Sequence, residues 1–174
     1  MKQINPIYMA ITLVLAVSTL KCGSSPTRIP ERKLPELSQA ETGKLEASKR
    51  EIVRCKHAKD AQLQIENDER ERLAMAESSK KALKEEADIK KKSTEIATIE
   101  KTLKVERLKS SIARLELARA IAVFEHEKSK LVAPKAPEEI KPAEYEKALK
   151  SIEKDIQSEK EDLKKLEQSF AEGK

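Results

Sequence analysis

The chain has 174 residues, of which 39% are charged and 2% aromatic, with 36 Lys and Arg against 31 Asp and Glu. Aromatic side chains supply much of a globular core, so this composition argues against a compact multilayer domain with an enzymatic pocket. Both charge signs are interleaved along the chain, which argues against a nucleic-acid partner. The composition instead predicts an all-α protein built from long helices or coiled coils.

A stretch of uncharged, mostly apolar residues lies at positions 7–20, on the C-terminal side of the positively charged Lys2. About 14 residues is the length of a secretory signal core, whereas a membrane-spanning helix needs roughly 20. Residues 1–22 are therefore predicted to be a signal or anchoring segment that directs the rest of the chain out of the cytoplasm. The small residues at positions 16–18 would suit cleavage after Ser18, and an uncleaved signal anchor is a further alternative.

Cys22 follows the apolar stretch and precedes the small residues Gly-Ser-Ser at positions 23–25. Here the chain resembles bacterial lipoproteins, whose cysteine is lipidated after signal cleavage and becomes the new N-terminus. That family usually has small residues before the cysteine and a leucine-like residue three positions back. This chain has Lys21 and Thr19 there, and some lineages, spirochaetes among them, accept such a looser pattern. The resemblance implies a lipid anchor on Cys22 and a place on the periplasmic or surface face of the bacterial envelope.

Residues 23–35 contain three prolines and no apolar period, which predicts a polar tether. A helix is expected to begin near Ser38, because Ser38 and Glu41 have the spacing of a capping box. Proline is absent from residues 36–133, so this stretch forms either one long rod that pairs with a partner or a helix that breaks. The predicted breaks are at 78–79 or 93–94, where Ser and Thr compete for backbone hydrogen bonds.

The spacing of apolar residues divides this long stretch into two parts. It is sparse over residues 36–92, which predicts a charged and weakly held helical arm. Residues 93–133 are denser and begin with one stripe formed by Ile96, Ile99 and Leu103. A second stripe is displaced by a predicted phase slip near residue 104, and consists of Val105, Leu108, Ile112, Leu115 and Ala122.

The clearest interruption of the helical pattern is a proline-rich loop predicted at residues 134–141. Pro142 suits the first position of a new helix over residues 142–172, whose apolar residues alternate at three and four positions. The short connection predicts an antiparallel helical hairpin with residues 93–133, with Phe170 docked near residues 99–103. The seam of this last helix comprises Tyr145, Leu149, Ile152, Ile156, Leu163, Leu166 and Phe170, with one polar position at Glu159.

The hairpin loosely resembles small helical-hairpin envelope lipoproteins of unknown function. The likeness covers about 60 residues and involves Ala118, Ala122, the connection at 128–142 and the sequence PAEYEKA at 142–148. It implies a helical hairpin and brings no catalytic residues.

Cys55 and His57 are the nearest Cys/His pair, but side chains two positions apart on a helix diverge, so no metal site is predicted. Cys55 is interpreted as a small residue on a helix face, as the site of a disulfide between exported copies, or as a partner of Cys22 if that cysteine stays free. The chain has three glycines and no phosphate-binding loop. Catalytic residues, cofactors and a small-molecule substrate are likewise not predicted.

Together these features predict a non-enzymatic, exported envelope protein that acts as a helical coiled-coil spacer or scaffold, attached to the membrane through its N-terminal lipid or signal anchor. Self-association through its helices is also expected. The alternative is a surface or periplasmic binding module, an adhesin or an assembly accessory, that docks a protein partner through the helical arm.

Overall fold

The computed structural model describes residues 28–30, 34–135 and 140–172. These residues form three helices and no strand, which confirms the predicted all-α fold. The leader, Cys22 and Ser18 lie outside the described residues, and so do parts of the predicted tether and proline-rich loop. The helices are α1 (Gln39–Lys81), α2 (Glu86–Val132) and α3 (Pro142–Ala171).

The first helix begins at the predicted capping box. The backbone N–H of Glu41 donates to Ser38 Oγ at 3.3 Å, and the backbone N–H of Ser38 donates to Glu41 Oε2 at 2.8 Å. These two bonds satisfy amides that have no partner within the helix. The hydroxyl of Ser38 also donates to Glu41 Oε2, which lowers the pKa of this exposed carboxyl.

The turn between α1 and α2 lies at residues 82–85, so the predicted breaks at 78–79 and 93–94 are wrong. The hydroxyls of Ser79 and Ser93 each donate to the carbonyl oxygen four residues back, at 2.8 Å, and the helix continues through both positions. A hydroxyl that bonds inside its own helix satisfies itself without displacing a backbone bond. The turn itself contains neither proline nor glycine, and Glu85 caps α2 without a side-chain bond.

The part of the charged arm that forms α1 packs along α2. Helix α1 runs antiparallel to α2, and its four buried residues are Leu45, Cys55, Glu66 and Ala76. Half-buried residues complete an unbroken alternation of three and four positions between them, as in a coiled coil. These half-buried members of the α1 seam are Ser48, Ile52, Lys59, Gln62, Glu69, Leu73 and Lys80.

The two apolar stripes of α2 are two faces of one continuous helix, and the predicted phase slip near residue 104 is wrong. Ile99 and Leu103 are buried and share a stripe with Glu106 and Ser110, whose side chains contact Gln62 of α1. Ile112 and Leu115 are buried on the other face. That second face turns toward α3, because its neighbours Ser111, Glu116 and Arg119 bond to Glu159, Lys160 and Glu153.

Helix α3 begins with Pro142 in its first turn, as predicted, and packs antiparallel against the second face of α2. Tyr145 and Ile156 are its buried residues. The ammonium group of Lys101 lies 5.4 Å from the centre of the Phe170 ring. Phe170 therefore lies at the predicted level along α2 but on its second face, whereas the predicted partners Ile99 and Leu103 pack on α1. The remaining predicted seam residues, all half-buried, are Ile96 and Leu108 on α2 and Leu149, Ile152, Leu163, Leu166 and Phe170 on α3.

The seam of α3 can be tested at Ile156, which is 8% exposed. We expect Ile156→Asp to lower the free energy of unfolding by about 2–5 kcal/mol, because a packed branched side chain is replaced by a charge without a partner. Thermal unfolding followed by circular dichroism measures the loss. Ser151→Asp adds the same charge on the exposed side of α3 and should leave the transition unchanged. Equal melting of both variants would show that α3 does not pack through this seam.

Candidate functional site

A buried polar layer lies midway along the seam between α1 and α2. Gln62 Nε2 donates to Glu106 Oε2 at 2.5 Å, and the hydroxyl of Ser110 lies 3.5 Å from the carbonyl oxygen of Gln62. Glu66 and Glu106 are 4% and 8% exposed. Buried carboxylates are costly unless they are paired, so each depends on groups supplied by the facing helix or by its own turn.

Glu66 shows how the layer keeps a charge inside the seam. Burial alone would raise its pKa, but hydrogen bonds from Arg70 and Ser110 and the charges of Arg70 and Arg114 outweigh burial, so the pKa lies below its usual range. Ser110 and Arg114 belong to α2, so the ionised state of this α1 residue depends on the contact between the two helices. The layer therefore couples the charge of Glu66 to helix pairing.

The polar layer is not fully satisfied. Glu69 forms an ion pair with Arg72 through Oε1, whereas its Oε2 atom is buried and has no hydrogen-bond partner among the described residues. On the α2 side, Glu106 Oε1 pairs with Lys109 at 2.9 Å. The α1–α2 seam thus combines apolar ends with a charged centre.

A cleft of about 430 Å³ runs between α1 and α3, with α2 as its floor. Its six charged residues form three pairs. Arg54 donates two hydrogen bonds to the carboxylate of Glu51. Arg119 Nε lies 2.9 Å from Glu153, and Lys160 Nζ lies 3.1 Å from Glu116. The last two pairs join α2 to α3. Because every charge in the cleft already has a partner, the arrangement holds helices together and offers no unpaired acid, base or cation for catalysis.

Cys55 lines the same cleft and is a free thiol that is 7% exposed. Burial, a hydrogen bond to Glu51 at 3.5 Å and the charge of Glu51 raise the pKa of this thiol. A raised pKa keeps the group in its less reactive protonated form. Its place on the α1 seam favours the interpretation of Cys55 as a packing residue over a disulfide between copies.

A second buried charged pair lies where α2 ends. Lys128 is 3% exposed, and its ammonium group lies 3.1 Å from Glu125 Oε1 and 4.9 Å from the centre of the Phe124 ring. The other carboxylate oxygen of Glu125 accepts the backbone N–H of Ile29 at 2.8 Å. Ile29 precedes all three helices, so this hydrogen bond joins residues 96 positions apart.

Ile29 is 4% exposed and belongs to an apolar cluster with Val132, Ile140 and Tyr145, with Leu34 packed against it. Burial raises the pKa of Tyr145, and the charges of Glu125 and Glu144 add to this effect. The described residues 28–30 of the predicted tether are thus docked onto the end of the bundle where α2 ends and α3 begins. We name this end the base, and the opposite end at residues 82–85 the tip.

The structure therefore brings together residues that the sequence analysis did not select. The polar layer was missed because Lys59, Gln62, Glu66 and Glu69 occupy seam positions that usually hold apolar residues. The sequence does contain a signal for the polar layer, because these positions continue the three- and four-residue spacing that begins at Leu45. The docking of Ile29 had only a faint signal, a lone branched residue between prolines.

Two further findings concern the described residues alone. Their His, Cys, Asp and Glu side chains form no group of three that could hold a metal ion. Their helices also include none with the length and apolarity needed to cross a bilayer.

Comparisons with protein-family models, with curated proteins and with solved structures found no significant match to this chain.

The polar layer predicts a pH dependence that can be assigned to Glu66. Because its pKa is lower in the folded chain, its charge stabilises the fold above the usual glutamate pKa, and this stabilisation is lost as the pH falls through the folded value. We expect Glu66→Gln to reduce the free energy of unfolding by about 1–2 kcal/mol at neutral pH. The difference from the unmodified chain should shrink as the pH falls, because that chain then loses the same charge.

Urea unfolding at pH 7 and pH 3 measures this difference. Glu51→Gln is the matched control, since Glu51 also pairs with an arginine on its own helix but its side chain is 46% exposed. It should have no measurable effect at either pH. A Glu66 effect that is the same at both pH values would contradict the charged role of this residue.

Proposed function

We propose that this protein is a non-enzymatic, exported envelope protein, anchored as a lipoprotein through Cys22, in which the helices act as a spacer or scaffold. The anchor rests on the sequence, where an apolar leader precedes a cysteine and small residues. The observation that carries the spacer role is the docking of Ile29 at the base, because it ties the chain entering from the anchor to one end of an elongated bundle.

Chain length then sets the geometry of the anchored protein. Six residues lie between Cys22 and Ile29, so the two are at most about 25 Å apart along a fully extended chain. The base therefore lies close to a membrane that holds Cys22. Helix α2 has 47 residues and is about 70 Å long, so the tip at residues 82–85 lies that much farther away. The lengths of the tether and of α2 thus set an upper limit on the distance between the tip and the bilayer.

The pairing of charges agrees with a structural role. Two ion pairs in the cleft between α1 and α3 join neighbouring helices, and the bond from Gln62 to Glu106 in the polar layer does the same. At the base, Glu125 pairs with Lys128 on its own helix and with the backbone of Ile29. Enzymes keep acids and bases with perturbed pKa values near a space for substrate. In this protein the groups with a shifted pKa are partners in helix caps or ion pairs, such as Glu41 and Glu51, or are packed between helices, such as Glu66, which supports the spacer role over a catalytic one.

The anchor is tested by the intact mass of the protein extracted from its native host. We expect an N-terminus at Cys22 that carries diacylglycerol, with or without a third acyl chain. Cys22→Ala should abolish the lipid and release the protein from the membrane fraction. A chain cut after Ser18, or an intact leader on a cytosolic protein, would overturn the lipoprotein proposal. Cys55→Ala provides the control for an unspecific effect of cysteine loss.

A second function, the binding module, has one specific observation in its favour. The large apolar side chains that stay well exposed among the described residues all belong to α1: Val53 is 54%, Ile65 is 46% and Met75 is 64% exposed. Contiguous exposed apolar patches mark partner-binding surfaces, so a partner on α1 would have to join these three side chains, which are 12 and 10 positions apart along the helix. In this alternative α1 would bind a protein partner through its outer side while its seam stays on α2.

Photo-cross-linking in the native host separates the two functions. A photoreactive amino acid at Val53 or Met75 should yield one discrete, reproducible heavier adduct if α1 binds a partner, because these side chains face outward. The control position is Lys165 on α3, whose side chain is 73% exposed. For a spacer without a partner on α1, all three positions give the same weak background.

A further inference from the structure

The turn that separates α1 from α2 has no local cause in the sequence. Residues 82–85 are Ala, Leu, Lys and Glu, which are among the best helix formers. Ala82 still has helical dihedral angles (φ −85°, ψ −11°), and α2 starts again at Glu86 after Glu85 in an extended conformation (φ −84°, ψ 133°). The chain folds back here because α1 and α2 pack against each other, and the same residues can form a helix.

Straightening this turn in a single molecule is unfavourable. It would expose Ile99 and Leu103, which are 6% and 4% exposed in the hairpin. It would also separate Gln62 from Glu106, so both side chains would lose the hydrogen bond that they form across the seam. The open chain therefore needs a surface that offers the same apolar stripe and the same polar layer.

A second copy of the chain offers both. We propose that two molecules exchange their α1 helices, so that the turn at residues 82–85 becomes helical and each α1 packs on α2 of the other copy. Every contact of the α1–α2 seam is then remade between chains, which makes exchange a low-cost route to a dimer. Each chain contains one helix from residue 39 to 132, about 140 Å long at 1.5 Å per residue.

The rest of the fold permits this exchange. Helix α3 occupies the other face of α2, where Ser111 and Arg119 bond to Glu159 and Glu153, so it stays in place when α1 leaves. The two-fold symmetry of such a dimer passes near the turn, and each seam pairs residue 62 of one copy with residues 106 and 110 of the other. Opening therefore changes which chain supplies α1 and leaves the layers of the seam unchanged.

Disulfide trapping of full chains tests the exchange directly. Two differently tagged copies are produced together, one carrying Gln62→Cys and the other Ser110→Cys, both with Cys22→Ser and Cys55→Ser. These positions are neighbours, since Ser110 Oγ lies 3.5 Å from the Gln62 carbonyl oxygen. After mild oxidation we expect a disulfide that joins the two tags, because exchange places residue 62 of one copy beside residue 110 of the other. Both substitutions on one chain provide the reference for the closed hairpin.

A proline at position 86 separates exchange from side-by-side association. In the hairpin Glu86 is the first residue of α2 and follows an extended residue, a position where proline fits. In the exchanged dimer the same position lies inside a continuous helix, where proline removes a hydrogen bond and clashes. Glu86→Pro should reduce the cross-linked product by at least about tenfold, while Glu86→Ala, which loses the same charge, should preserve it.

Two results would overturn the proposal. The first is a disulfide that forms efficiently within the doubly substituted chain but never between the two tagged copies. The second is a product between copies that Glu86→Pro leaves unchanged, since closed hairpins would then associate without exchange. Light scattering of the unmodified protein and of the Glu86→Pro and Glu86→Ala variants checks the same point without cysteines, with the dimer fraction falling only in the proline variant.

Discussion

The described fold depends on the ability of α2 to bury two different faces at once. Its stripe through Ile99 and Leu103 packs on α1, and its stripe through Ile112 and Leu115 packs on α3. Helices α1 and α3 each bury one stripe and are otherwise charged, so neither has enough apolar surface for a core of its own. An amphipathic helix gains most of its stability from tertiary packing, and here that packing is supplied by α2.

The two contacts of α2 differ in chemistry, and the difference has consequences. The α3 seam is apolar along most of its length, with Glu159 as its polar member. The α1 seam places Gln62, Glu66 and Glu69 at successive inward positions. The first of these contacts Glu106 and the second contacts Ser110. A polar residue at a seam position stabilises one register at a cost in overall stability. The polar layer therefore fixes the register of α1 on α2, while the contact buries little apolar surface. Such a contact is easily opened and is remade in the same register, which agrees with the proposed exchange of α1 between copies.

Much of this architecture could be predicted from the sequence where local signals and apolar patterning agree. The capping box at Ser38, the helix start at Pro142 and the register of Phe170 all follow from short-range rules and a regular seam. The turn at residues 82–85 could not be predicted, because no residue in it disfavours a helix. The two stripes of α2 were mistaken for a phase slip, because a sequence shows that a stripe moves but not that a second partner receives it.

The docking of Ile29 links the interior of the bundle to the chain that precedes it. Glu125 has two oxygens to satisfy in a buried position, and Lys128 takes one while the backbone N–H of Ile29 takes the other. If residues 28–30 detached, one oxygen would lose its partner and the cluster around Val132 and Tyr145 would lose a buried side chain. Residues 28–30 are therefore part of the bundle. In an anchored molecule, a pull on the N-terminus would act first on Glu125 and Lys128 at the base, and the α1–α2 turn would remain at the far end.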